Sequence, residues 1–214
     1  MNIFFTSDHH FGHTNILKHE DEKRRDGNGA RFTSIEHMNE YLIEQWNDTV
    51  SSSDRVYCLG DMSLNQASIE NCLPRLCGEK ILICGNHDPF FKRLNMPANT
   101  KQHRESHEDA KRVGFASIHL EMEIELLPGI FARLSHFPYL PADKTGLQEY
   151  DQRYPENRPQ IGRESVLLHG HVHSQWRERL DKGIPLMVNV GVDMWDMRPV
   201  PESSILQLLM GRDL

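Results

Sequence analysis

Short apolar runs that stop at a polar cluster recur along this chain, and they mark out its predicted elements. Asn2 to Ser7 ends at Asp8-His9-His10, Arg55 to Leu59 at Gly60-Asp61, and Lys80 to Cys84 at Gly85-Asn86-His87-Asp88. Ile81-Leu82-Ile83-Cys84 is short, rich in β-formers and ended by glycine, which predicts a buried strand of an α/β sheet. Ser165 to His169 and Pro185 to Val190 have the same form and end at His or Gly. Open α/β sheets place their ligands at the carboxyl ends of such strands.

Between these runs the apolar period becomes helical. Ile35, Met38, Leu42 and Trp46 predict a helix from about Ser34 to Asp48, opened by Thr33-Ser34-Ile35-Glu36 in the form of a capping box. Gln66 to Leu76, with Ile69, Leu73 and Leu76 on one face, completes a β-α-β unit, and Pro74 limits its end. Asn15 to His19 and Ser203 to Met210 are predicted as further short helices. Glu121 to Leu126 alternates polar and apolar, and Pro128-Gly129 separates it from Ile130 to Ser135, which predicts a hairpin with one wet face. Glu20 to Arg31, with Lys23, Arg24 and Arg25, reads as a solvated loop. Pro97 to Arg112 reads as a surface insertion without an assignable element, and Leu140 to Arg163 also stays unassigned. Two successive sets of strands with helices outside predict a two-sheet α/β sandwich, with residues 1–214 as one domain.

Composition narrows the function classes. Charged residues make up 26% of the 214, and no apolar run is long enough to span a bilayer, so no membrane partner is expected. The first eight residues lack the basic and apolar regions of a signal peptide. Cys58, Cys72, Cys77 and Cys84 show no paired spacing, which predicts reduced, mostly buried thiols and a cytoplasmic setting. A net charge of -7 argues against a broad nucleic-acid surface. Histidine departs from an even scatter: of thirteen, eight stand at His9, His10, His13, His87, His136, His169, His171 and His173. Three strand ends thus deliver carboxylate, imidazole and amide groups to one edge, and a metal site is the first expectation. Taken singly, Asp8 is equally a helix cap, Asp61 an Asx-turn residue, and Asn86-His87-Asp88 turn chemistry.

Asp8-x-His10, Gly60-Asp61, Gly85-Asn86-His87-Asp88, His136 and Gly170-His171-x-His173 together, in this order, closely resemble the calcineurin-like metallophosphoesterase superfamily, and Phe11-Gly12-His13-Thr14-Asn15 after the first motif resembles its bacterial and phage-type branch. The resemblance implies two divalent metal ions, with Asp8, His10 and His173 on the first, Asn86, His136 and His171 on the second, and Asp61 bridging them. Mixed imidazole, carboxylate and amide donors suit Mn(II), Fe or Zn, with Mn the first choice. It further implies hydrolysis of a small or nucleotide-like phosphodiester or phosphomonoester by a metal-bridging hydroxide, with His87 as general acid and Asp88 orienting it. Asn86 then also neighbours the phosphoryl oxygens. His13 and Asn15 extend the first motif and either contact substrate phosphate or serve as ligand support and helix cap.

For the isolated ligand, His136 after a strand pattern is preferred to His119. His171 and His173, two apart, are expected on one face of a strand. His169 is expected in the core and His9 turned away from the metals. Met62-Ser63-Leu64 after Gly60-Asp61 departs from the protein Ser/Thr phosphatase continuation, and the phosphate-clamping arginine of that branch has no counterpart in the motif. The alternatives are a nuclease guided by Lys101, Arg104, Lys111 and Arg112, and a non-catalytic scaffold that keeps the fold to recruit partners.

Overall fold

The computed structural model describes residues 1–140 and 153–211. Two five-stranded sheets face each other. The first has the order β10-β1-β2-β3-β4, from Val200–Pro201, Ile3–Thr6, Arg55–Cys58, Glu79–Ile83 and Ser117–His119. The second has the order β5-β6-β7-β9-β8, from Glu121–Leu127, Ile130–Ser135, Val166–His169, Leu186–Asn189 and Glu178–Arg179. Strands β1 to β4 pair in parallel, as do β6, β7 and β9, while the predicted hairpin β5–β6 is antiparallel.

The continuous apolar runs reflect burial on both faces of each central strand. Phe5, Tyr57, Leu59, Ile81 and Ile83 meet Leu134, Val166, Leu168 and Val188 between the sheets. Phe4, Val56, Cys58, Leu82 and Cys84 turn the other way, against helices α2 (Ile35–Thr49), α3 (Gln66–Cys72) and α5 (Lys101–Val113). On α2 Met38, Leu42 and Trp46 of the predicted stripe are buried and Ile35 partly so, and Trp46 also donates its indole N–H to the Cys77 carbonyl at 3.0 Å. Two short helices, α1 (Ile16–His19) and α4 (Phe91–Leu94), sit in crossovers, and α6 (Glu202–Met210) adds Ile205 and Leu209 to the core between the sheets.

Local expectations shift in three places. The α2 cap is Ser34, whose hydroxyl accepts the His37 N–H, and His37 Nδ1 reaches back to Thr33 where the capping box placed Glu36. Residues 97–112 contain a helix, α5, capped by Thr100, which buries only Ser106, Ala110 and Val113. So narrow an apolar seam leaves almost no period to read. Of residues 140–163, those from 141 to 152 lie outside the described residues.

Candidate metal centre

The carboxyl ends of β1, β2, β3, β6 and β7 converge, and Asp8, Asp61, Asn86, His136 and His171 follow them within three residues. Backbone contacts seam the loops: Asp8 N–H donates to Gly60 O at 3.0 Å, Gly170 N–H to His136 O at 3.1 Å, and His171 N–H to the Asp8 carboxylate. Ligand atoms of Asp8, His10 and His173 lie within 4.8 Å of one another, as do those of Asp8, Asp61 and His136. Asp61 Oδ2 stands between the two sets, 3.8 Å from His10 Nε2 and 3.3 Å from His136 Nε2.

Among the described residues, eight non-glycine residues hold a left-handed backbone, and Asp8, His10, Asp61, His171 and His173 are five of them. Such conformations cost energy and persist where the surroundings over-determine them, as at functional sites. They also correct an expectation. His171 and His173 are not on a strand: β7 ends at His169, and φ values of 72° and 46° turn both rings into the site.

The donor set fits metal ions. His10 Nε2, Asn86 Oδ1, His136 Nε2 and His171 Nε2 are buried without a hydrogen-bond partner, and a buried polar atom in a native fold normally has one. The opposite ring nitrogens orient two imidazoles: His136 Nδ1 lies 2.8 Å from the Leu59 carbonyl and His173 Nδ1 3.1 Å from Asp193 Oδ2. Burial holds His10 and His171 well below the ordinary imidazole pKa, which keeps their lone pairs free near neutrality. At His136 burial works against protonation, but the Asp61 charge outweighs it and raises the ring to about 9. A cation in the site reverses that balance.

Asp88 needs correction. Its buried carboxylate does not orient His87. It accepts the N–H groups of Gly85 at 2.8 Å and of Asp61 and Met62 at 2.9 Å, tying the β2 loop to the β3 loop. Burial first, then the Asp61 charge, raises its pKa to about 7 against these amides. His87 is an exposed ring at the cleft mouth, centred 5.5 Å from His10 and 6.4 Å from His13, and its own N–H donates to Asp61 Oδ1. His13 therefore joins the cluster, whereas Asn15 is exposed at the α1 cap position without a side-chain cap bond. His119 stays on β4 beside Ser117, away from the clustered ligands. His9 packs against Phe11 and Trp46, and His169 against Trp176.

Sequence reading missed the group beneath these loops. Arg24, expected in solvent, is buried, and its guanidinium donates to the Asp8 and His9 carbonyls and to Asp193 at 2.7 Å. Asp193, from the 3-10 turn Val192–Met194, also holds His173. The one local signal was an arginine in a loop directly after a motif, which is indistinguishable from a solvated charge.

Gly170 marks the tightest approach. An added Cβ would overlap Ser7 Oγ and Asp8 Oδ2, and Ser7 Oγ is already committed to the Leu59 carbonyl at 2.8 Å. Gly170→Ala is expected to cost about 1–3 kcal/mol of stability through overpacking. It should also displace Asp8, which metal content per chain after purification will report.

A cleft of about 220 Å³ opens over the cluster, lined by Glu20, Asp61, His87, Arg153, His171, His173 and Gln175. The profile of the calcineurin-like phosphoesterase superfamily domain matches residues 1–208. Gene 66 protein of Mycobacterium phage D29 is 30% identical over 209 residues, covering 94% of this chain and 93% of its own. An uncharacterized protein of Methanocaldococcus jannaschii is 36% identical over 97 residues, so the match spans 44% of this chain and only 51% of that relative. In fold, the chain is similar to a protein of unknown function from Aquifex aeolicus, with a TM-score of 0.63, 23% identity, and coverage of 97% of this chain and 98% of that one.

Proposed function

The chain belongs to the calcineurin-like phosphoesterase superfamily, a family of metal-dependent phosphoester hydrolases, and from that premise we propose that it hydrolyses small or nucleotide-like phosphoesters with two divalent ions. The observation that carries this reading is the gathering of ligand atoms of Asp8, Asp61, His10, His136 and His173 in two overlapping sets, beside buried Asn86 Oδ1 and His171 Nε2 that lack a hydrogen bond. Asp8, His10 and His173 would hold one ion and Asn86, His136 and His171 the other, with Asp61 between them. Ions bound there, Mn(II) first and Fe or Zn next, supply Lewis acidity and lower the pKa of water toward neutrality.

The chain's own groups do the rest. His87, held by its backbone to Asp61 but with an exposed ring, is placed to give a ring proton to the leaving oxygen. Asp88 sets the spacing of the two loops that carry Asp61 and Asn86. Arg153 brings a guanidinium to the cleft, a cation for the substrate phosphate that the motifs lack. Arg153→Ala is expected to raise KM for p-nitrophenyl phosphate about tenfold with a smaller change in kcat, the pattern of lost ground-state binding.

Of the basic residues that a nuclease would use, three on α5 have local partners and Lys111 has none among the described residues. Lys101 pairs with Glu105 at 3.4 Å, Arg104 donates to Asn99 O at 2.8 Å, and Arg112 pairs with Asp109 at 2.5 Å. No described helix is long and apolar enough to cross a membrane. The test is direct: Mn(II)-loaded protein should hydrolyse bis-p-nitrophenyl phosphate or p-nitrophenyl phosphate, and inactivity toward both would overturn the reading.

A further inference from the structure

Beside Arg24 lies a separate cavity of about 370 Å³ that shares Asp193 with the support of His173 and includes none of the residues assigned to metal. Lys23, Arg25 and Arg198 bring three cations to it, and Tyr41 and Gln45 form one wall. Tyr41 and Gln45 are four residues apart on α2 and therefore adjacent on one helix face. Gln45 is only 6% exposed, yet among the described residues its side-chain amide makes no hydrogen bond. The amide is open to the cavity, where a ligand edge can take the place of water.

The acids there offset only part of the cations, because Asp193 is already paired with Arg24 and leaves Asp26 and Asp196 against Lys23, Arg25 and Arg198. Asp26 accepts the N–H groups of Asn28 and Ala30 within its own turn, and Asp193 is neutralised by Arg24. Asp196 is left against Lys23 and Arg25, neither of which has an ion pair among the described residues, and Arg198, whose contact is the Thr49 hydroxyl at 3.4 Å. Cations for an anion, an aromatic face and a side-chain amide in one space of this size describe a nucleotide site.

We propose that this cavity binds a purine nucleoside monophosphate, its phosphate on Lys23, Arg25 and Arg198, its base against Tyr41, and its edge on the Gln45 amide. A glutamine amide matches the adenine edge with two hydrogen bonds, which makes AMP the first ligand to test. An occupant also packs on the Val192–Met194 turn, whose enclosed Asp193 side chain orients His173 from beneath, so binding reaches the metal centre. That coupling, unlike the binding itself, rests on the phosphoesterase reading.

Titration calorimetry of the full chain with AMP, adenosine and inorganic phosphate tests the assignment. AMP is expected to bind more tightly than either fragment. The Lys23→Ala/Arg25→Ala double variant and Gln45→Leu should each weaken AMP by at least about tenfold. Hydrolysis of bis-p-nitrophenyl phosphate without nucleotide should be unchanged in both. Should Gln45→Leu fail to fold, the Lys23 and Arg25 pair, one exposed and one half-buried, still decides. No AMP binding below millimolar concentration, binding unaltered in the double variant, or phosphate as tight as AMP would each overturn the proposal. A chain that binds AMP through these residues but hydrolyses neither test ester would refute the phosphoesterase reading alone.

Discussion

Arg24→Ala is expected to destabilise the fold by about 3–5 kcal/mol, the cost of stranding one partner of a buried ion pair. Both side chains are fully enclosed, so Asp193 would be left as an uncompensated charge, and the Asp8 and His9 carbonyls would lose their donor. Turnover should fall further than stability does, because Asp193 and the Asp8 backbone carry two of the assigned metal ligands. Arg24→Lys should not rescue it, since a single ammonium cannot reach two carbonyls and a carboxylate in the plane of the guanidinium fork. The paired change Arg24→Met with Asp193→Leu should restore much of the lost stability but not activity, because the pairing removed includes the hold on His173. Urea unfolding and metal content separate the two effects. An Arg24→Ala protein with native stability would refute this account.

The second large effect is chemical. His87→Ala should lower kcat toward alkyl phosphoesters by about 10²–10⁴, the usual contribution of a positioned acid. p-Nitrophenyl esters, whose leaving group needs no proton, should lose far less. The ring is exposed, so stability should move by no more than about 0.5 kcal/mol and metal content should hold. An equal drop with both leaving groups would remove His87 from the role of acid and leave it a structural part in the cleft wall.

Much of the fold was legible because burial on both faces of a central strand leaves an apolar run, and Phe4 and Phe5, facing opposite layers, show why it does not alternate. The α5 helix was not legible, since three small buried positions among thirteen residues give no stripe. At the centre, strand-end positions pointed to Asp8, Asp61, Asn86 and His136. The role given to Asp88 failed because adjacency in sequence suggested His87 as its partner, whereas the partners are amides three, twenty-six and twenty-seven residues away.

What the sequence by itself determined is the order of the central strands and of the helices α2, α3 and α6, the residue types that end those strands, and the family they resemble, all of which depend on local pattern. Tertiary structure alone decided which polar groups meet. Arg24 and Asp193 are 169 residues apart, and they pair only because β1 and the Val192–Met194 turn are joined at the Ser7–Gly191 bridge. The end of β6 brings His136, and not His119, beside Asp61, and a left-handed backbone turns His171 and His173 inward. Periodicity records which side of an element is buried. The register between sheets determines what it is buried against, and no local window contains that register.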